Sequence, residues 1–395
     1  MAAPSVARRL ALEVLLLVER GGYAADLLFR RGGNLLPPDA ALAHEIVFGV
    51  LRRRAQLDFL LQAHLSKPLA KLDVEVLLAL RMGAYQLHFL ERVPAHAAVS
   101  ESVSLVRAAR KVSATGMVNA VLRKVMGAAL PEAWPNPATA LSVPGWMLER
   151  WQRAFGEERA AGIAGAFLQK PDVYTRLPKA GSATDYPGLE LVETEIPGCL
   201  QVLKGNPQVA GLRQSDIGSQ WVGTLLQAGP GDTVLDLCAA PGNKTAVVAE
   251  TARIGAACDA NLQRLLAMRE EGLPRVQIDA TQPLPFRGAF SRILLDAPCS
   301  GTGTLSRNPE IRWRLTPEKL REFPPIQRAM LRNALAALAP GGVLVYATCS
   351  LEIEENENIV RDVCHDYEVE IARRMPGESP GDGFFAAVIR NAASG

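Results

Sequence analysis

The 395-residue sequence has no apolar run near the roughly 18 residues that a membrane-spanning helix requires. Its longest early run, Val14-Leu15-Leu16-Leu17-Val18, is framed by Glu13 and by Glu19-Arg20 on a helical pattern. Near the N-terminus, Arg8-Arg9 is not followed by a long apolar core and a small-residue cleavage site, so no signal peptide is expected. CxxC pairs and His/Cys clusters are also missing. The six cysteines, at 199, 238, 258, 299, 349 and 364, stand far apart, so neither a metal site nor a disulfide framework is expected, and a reducing cytoplasm fits. There is no GxxxxGK[ST] loop, which removes a phosphate cradle of that kind.

What is present is a globular composition, 48% hydrophobic and 21% charged. The length exceeds what one ordinary core accommodates, so two or three domains are expected. A net charge of +2 hides an asymmetry: residues 1–130 carry 17 Lys or Arg against 10 Asp or Glu, a surplus of 7. A basic N-terminal third suggests an anionic partner such as nucleic acid.

The apolar spacing divides the chain into three stretches. Residues 1–130 show helix after helix, with Val6, Leu10, Val14, Leu17 and Val18 close to a 3.6 period and similar patterns over 40–65, 74–90, 96–110 and 116–126. Arg52-Arg53-Arg54 and Arg107, Arg110 and Lys111 are the densest positive clusters of this all-α stretch. Prolines 131, 135, 137 and 144 mark a boundary, and a small α+β module is expected over 131–212. From 213 to 395 short apolar strands alternate with helices: 233–237, 255–258, 275–278, 292–295 and 343–347 read as strands, and 326–338 as a helix stopped by Pro340-Gly341-Gly342. That alternation predicts a parallel sheet covered on both faces.

Three motifs begin where predicted strands end. The first is Asp236-Leu237-Cys238-Ala239-Ala240-Pro241-Gly242-Asn243-Lys244-Thr245, a small-residue turn that lets backbone approach a ligand. Asp259 closes the next strand, 23 residues after Asp236, where an acid commonly holds ribose hydroxyls. Asp279 follows the third strand and could meet an adenine edge. This layout suits an adenosine-bearing cofactor without separating S-adenosylmethionine from a dinucleotide.

The second motif is Asp296-Ala297-Pro298-Cys299-Ser300-Gly301-Thr302-Gly303-Thr304, and the third is Thr348-Cys349-Ser350. In an open parallel sheet the ligand crevice lies at the carboxyl ends of the strands, so Asp296, Cys299 and Cys349 should converge beside the cofactor turn. Cys199, Cys258 and Cys364 read as buried apolar residues instead. Two thiols and a carboxyl group fit one chemistry well. A thiolate adding to carbon 6 of cytosine makes carbon 5 nucleophilic toward a sulfonium methyl group. A carboxylic acid at N3 eases that addition, and a second group must help the carbon 5 proton to leave.

These motifs, with Leu351–Val360 and Asp382-Gly383-Phe384-Phe385, resemble the Sun/Nop2 family of RNA cytosine-5 methyltransferases. The N-terminal helices, with Val118-Asn119-Ala120-Val121-Leu122-Arg123 near their end, resemble the NusB RNA-binding domain, the arrangement of an RsmB-like subgroup that modifies small-subunit ribosomal RNA. The resemblance implies a NusB-like helical domain over 1–130, an α+β RNA-binding or linker module over 131–212, and a Rossmann-like class I methyltransferase domain over 213–395. It implies that Cys238, Ala239, Ala240, Pro241, Gly242, Asn243 and Lys244 line an S-adenosylmethionine site, with Asp259 on the ribose and Asp279 and Asp296 completing the cofactor and base sites. Cys349 takes the role of nucleophile and Cys299 that of helping product release. Arg307 and Arg312 are candidates for holding RNA phosphate or orienting the base, or else lie on the surface.

One departure stands out: the family usually has Gly-Gly-Lys where this chain has Gly242-Asn243-Lys244, and Asn tolerates positive φ. The acidic run Glu352–Glu357 is expected as a helix first turn, where carboxylates are favoured. The partner implied is RNA, with no membrane and no metal. The oligomeric state is open, a monomer being the default. Two other targets compete, tRNA and large-subunit rRNA, as does a catalytically silent RNA-binding assembly factor; intact Cys299 and Cys349 count against the last. An enzyme acting on an exocyclic amine would need no cysteine.

Overall fold

A computed structural model describes residues 3–33, 35–178, 181–270 and 272–391. The chain divides into two compact units, Met1–Lys170 with Leu305–Arg314 and Pro171–Thr304 with Leu315–Gly395. Among the described residues, no helix is long and apolar enough to cross a membrane.

The first unit is all-α. Its opening helix, Val6–Glu19, buries Ala7, Leu10, Ala11, Val14, Leu15 and Val18, the spacing that places side chains on one face. The pattern over 40–65 resolves into two helices, Pro37–Arg52 and Arg54–Gln62, with Arg53 as the hinge between them. The helix Ala24–Gly32 was not legible in the sequence because only Ala24 of its residues is buried. Helices Val74–Phe89, Ala95–Ala108 and Thr115–Gly127 complete a core that includes Leu57, Leu80, Val106 and Leu122. The stretch 131–212 is shared between the units: helices Gly145–Phe155 and Glu157–Ala166 belong to the first, and its strands to the second.

The segment Leu305–Arg314 follows the second cysteine motif directly, yet it is part of the helical core. Arg312 is fully buried and its guanidinium donates to the carbonyls of Ser142, Phe167 and Leu305 at 3.1, 3.3 and 2.9 Å. Trp313 donates its indole N–H to the Leu51 carbonyl at 2.7 Å, and Glu310 accepts from the Ala24 N–H at 2.9 Å.

The second unit holds two sheets. Strands β1 (Val173–Arg176), β2 (Glu190–Glu193), β3 (Cys199–Lys204) and β4 (Arg213–Gln214) form a small antiparallel sheet in the order β2-β3-β1-β4. Strands β5 (Thr233–Asp236), β6 (Arg253–Asp259), β7 (Arg275–Gln277), β8 (Phe290–Asp296), β9 (Leu338–Thr348), β10 (Glu368–Arg374) and β11 (Phe384–Arg390) form the main sheet in the order β10-β11-β9-β8-β5-β6-β7. Five of these, β5 to β9, run parallel, and β11 lies antiparallel to both its neighbours. The order reverses between β5 and β8, the switch point at which open sheets of this kind bind ligands. Alternate residues feed opposite cores: Leu344 and Tyr346 of β9 pack toward the helix Phe323–Ala337, and Val343, Val345 and Ala347 toward the other face. The turn expected at Pro340-Gly341-Gly342 appears as an irregularity within β9, where pairing with β8 jumps from Leu338 to Val343.

Candidate active site

The cofactor turn leaves β5 at Asp236 and enters the helix Asn243–Ala249. Gly242, not Asn243, takes the positive φ, at 97°, and a Cβ there would lie 2.4 Å from Glu270 Oε2. The question raised by Gly242-Asn243-Lys244 therefore has a simple answer: Asn243 is the first helical residue and needs no left-handed backbone. Its Oδ1 accepts from Arg213 at 3.3 Å.

A cavity of about 480 Å³ opens at the carboxyl ends of the parallel strands. Seven of the residues singled out from the sequence wall it: Cys238, Ala240, Asp259, Asp279, Asp296, Cys299 and Cys349. Ala239, Pro241, Gly242 and Asn243 shape the turn without reaching that wall. The N–H of Ala239 is held by the Cys258 carbonyl at 2.8 Å. Lys244 reaches across to Asp296, with Nζ 2.6 Å from Oδ2, and its ammonium lies over the Phe384 ring. Burial opposes the charge on Lys244, but Asp296, Cys349 and Asp236 outweigh it and hold the ammonium above its ordinary value.

Three acids stand at or just beyond the ends of strands β5, β6 and β7, two of them, Asp259 and Asp279, in the cavity wall. Asp236 is buried; its Oδ2 accepts from the Thr245 hydroxyl at 2.7 Å, and its Oδ1 has no hydrogen-bond partner among the described residues. Burial pushes it up to about 7. A buried carboxylate with an oxygen to spare suits a cationic ligand such as a sulfonium-bearing amino acid. Asp259 gives one oxygen to the Asn261 N–H at 2.8 Å and keeps the other 3.8 Å from Arg264. Asp279 is exposed and accepts from the Thr281 N–H and hydroxyl, which lower its pKa.

On the other side the two thiols meet, with Cys299 Sγ 3.4 Å from Cys349 Sγ. The Cys349 sulfur and burial hold the Cys299 thiol well above its ordinary value. Cys199, Cys258 and Cys364 are buried in packing, as expected, and burial raises them to about 11, 12 and 11. Glycines let the two motif loops touch: the Gly303 N–H donates to the Cys349 carbonyl at 2.9 Å, and the Gly383 N–H to the Gly303 carbonyl at 2.8 Å. A Cβ on Gly303 would lie 2.3 Å from the Gly383 oxygen, and one on Gly383 would lie 2.9 Å from the Leu351 side chain and 3.1 Å from Gly303 Cα, so the crossing favours glycine on both segments.

Several expectations need correction. Arg312 is not a surface residue: it is fully buried, and both its terminal nitrogens donate to carbonyls of its own unit, while its Nε has no partner among the described residues. Burial lowers it to about 9. The Arg52-Arg53-Arg54 cluster is likewise engaged within the helical unit: Arg52 donates to the Ser306 carbonyl at 2.9 Å, Arg53 stacks over Phe89, and Arg54 pairs with Glu19 at 3.1 Å. The acidic run does not open a helix; Ile353–Glu355 form a single 3₁₀ turn, and the helix starts at Glu357. Glu355 is fully buried beneath the two cysteine loops. The cavity wall also includes Arg264, Ile326 and Met330, which carry no motif and whose only sequence cue is their position one or two turns into helices after the strands.

Comparison with known proteins agrees with this geometry. A family model described as 16S rRNA methyltransferase RsmB/F matches residues 223–374, and the NusB family matches residues 5–127. The chain is 37% identical to ribosomal RNA small subunit methyltransferase B of Thermus thermophilus, over 90% of this chain and 86% of that one. It is 33% identical to the Escherichia coli protein of the same name, over 90% of this chain and 93% of that one. A methyltransferase homologue from Pyrococcus horikoshii superposes on 65% of this chain and 97% of its own, with a TM-score of 0.54 at 24% identity. Another solved structure covers 98% of this chain and 99% of its own with a TM-score of 0.80 at 22% identity, so the fold is shared along the whole length. With a NusB domain followed by a Rossmann-like methyltransferase domain, the chain belongs to the RsmB/F family of 16S rRNA methyltransferases.

Proposed function

We propose that the chain transfers a methyl group from S-adenosylmethionine to carbon 5 of a cytosine in 16S rRNA, with Cys349 as nucleophile. The observation that carries this reading is the 3.4 Å approach of Cys299 and Cys349 in the cavity that also holds Asp259, Asp279 and Asp296. The small-subunit target rests on the relatives named above. The helical stretch 1–130 and the module 131–212 are read as the RNA-binding parts and 213–395 as the methyltransferase domain, acting in the cytoplasm where thiols stay reduced.

Bound S-adenosylmethionine supplies an electrophilic methyl group. Cys238, Ala240, Asp259 and Asp279 wall its pocket, Asp236 offers a buried carboxylate, and Ala239, Pro241, Gly242, Asn243 and Lys244 shape the turn. The Cys349 thiolate adds to carbon 6 of cytosine, and the ring's electron pair moves toward N3. Asp296, tied to the Lys244 ammonium, stands at the base site, where a proton drawn from that ammonium through the Asp296 carboxylate passes to N3 and leaves Lys244 neutral. Carbon 5 then takes the methyl group, after which its proton must leave so that the Cys349–carbon 6 bond can break.

Cys349 and burial together hold the Cys299 thiol above its ordinary value. When Cys349 is taken up as a neutral thioether the first of these is relieved while burial remains, and Cys299 is the neighbouring thiol left to assist removal of the carbon 5 proton. Bisulfite sequencing of unmethylated 16S rRNA treated with the protein and S-adenosylmethionine tests this. Wild type should leave a cytosine resistant to conversion and Cys349→Ala should leave none; a methyl group on an exocyclic nitrogen, or a resistant cytosine made by Cys349→Ala, would refute the reading.

A further inference from the structure

Beside each thiol stands a serine, and the two serines repeat the thiol contact one residue further on. Ser300 Oγ lies 3.1 Å from Ser350 Oγ, parallel to the Cys299–Cys349 contact. Between them sits the Glu355 carboxylate. Its Oε1 accepts from both serine hydroxyls, the Ser350 bond being 2.7 Å. Its Oε2 accepts from the Ser300 N–H at 2.8 Å and from Gln327 Nε2 at 3.0 Å. Gln327 also donates to the Pro298 carbonyl at 3.0 Å, and the Tyr346 hydroxyl donates to the Glu355 carbonyl at 2.6 Å. Asn356 holds the Ser350 carbonyl at 2.9 Å.

From this arrangement we infer that Glu355 is the positioning residue for both thiols: it ties the loop carrying Cys299 to the loop carrying Cys349 and thereby sets their sulfur–sulfur distance. The inference rests on the roles given to the two cysteines above. Two loops that end separate strands have no covalent reason to keep their side chains in contact. A buried carboxylate that accepts from both is a strong tie, because charge-assisted hydrogen bonds shielded from water resist exchange. Both carboxylate oxygens are occupied by protein donors, so the group is committed to holding the loops and not to the substrate. Burial pushes Glu355 above the ordinary carboxylate range, with the serines and Gln327 working against that rise.

A glutamine here could keep the frame. Its amide N–H groups could donate to the two serine hydroxyls while its oxygen accepts from Ser300 N–H and Gln327. Alanine cannot, and aspartate is one methylene too short.

The test compares Glu355→Gln, Glu355→Ala and Glu355→Asp with wild type and with Cys299→Ala. Phenylarsine oxide reports on thiol proximity without RNA, since it bridges two neighbouring thiols with loss of one water. Wild type and Glu355→Gln should bind it alike, Cys299→Ala should not, and Glu355→Ala should lose at least roughly tenfold in affinity. In methyl transfer to 16S rRNA, Glu355→Ala should lose about 10²-fold in kcat, the cost expected of an ~1 Å misplacement, with the cofactor Kd within about twofold and Glu355→Gln restoring most of the rate. If Glu355→Ala fails to fold by circular dichroism, Glu355→Asp carries the same expectations. Unchanged arsenical binding and kcat in a folded Glu355→Ala or Glu355→Asp would overturn the inference. Methylation or adduct formation by Cys349→Ala would instead overturn the cysteine roles, and the arsenical result would still report on Glu355.

Discussion

The two walls of the cavity are built on opposite principles. On the side proposed for the cofactor the acids are loosely held: Asp259 faces only the exposed Arg264 with one oxygen, at 3.8 Å, and behind the wall Asp236 Oδ1 is buried without a partner among the described residues. On the thiol wall the Glu355 carboxylate is used on both oxygens, and the backbones of Gly303, Cys349 and Gly383 are joined by hydrogen bonds. A binding surface stores unsatisfied polarity for its ligand to complete, whereas a surface that forms and breaks covalent bonds is held in place before the ligand arrives.

The sharpest way to probe the thiol wall is to divide its two sulfurs. Cys349→Ala should lower methyl transfer by roughly 10⁴-fold or more, measured with tritiated S-adenosylmethionine and 16S rRNA. Cys299→Ala should instead accumulate a covalent protein–RNA adduct visible on a denaturing gel. An adduct that survives loss of Cys349 would assign the thiols the other way round.

Breaking the backbone frame should cost less. Gly303→Ala places a Cβ 2.3 Å from the Gly383 oxygen, so we expect roughly 1–3 kcal/mol of lost stability by denaturant unfolding and a clear fall in kcat. Wild-type stability in that variant would mean that the loops are looser than the hydrogen bonds suggest.

The cofactor wall should respond through affinity and pH. Burial raises Asp236 to about 7, above the ordinary ~3.9, so the cofactor-free fold should lose stability as pH climbs through that interval. A cationic ligand prefers the ionised carboxylate, so the S-adenosylmethionine Kd should tighten about tenfold between roughly pH 6 and 8. Asp236→Asn should flatten that profile and weaken binding roughly 10- to 100-fold by calorimetry. An unchanged profile would remove Asp236 from the cofactor site. The smallest change is expected at Asp279, which is exposed and already paired with Thr281. Asp279→Asn should weaken the cofactor only roughly two- to fivefold.

Much of this protein was open to reading from the chain alone. The 3.6-residue period identified the first helix, and apolar runs located five parallel strands, because burial against one face or between two faces imposes those periods locally. Motifs at strand ends have to converge on one edge of a parallel sheet, which brings Asp296, Cys299 and Cys349 together by topology alone. Tertiary structure alone decided which residues finish the job. Glu355 sits in a run of acids that reads as the first turn of a helix, and its donors at Ser300 and Gln327 lie 55 and 28 residues away. Arg312 reads equally as a phosphate or base contact and as a surface residue, whereas its partners are carbonyls up to 170 residues distant. Local periodicity records which face is buried; it carries no record of which distant donor meets a buried charge, and only the tertiary structure supplies that pairing.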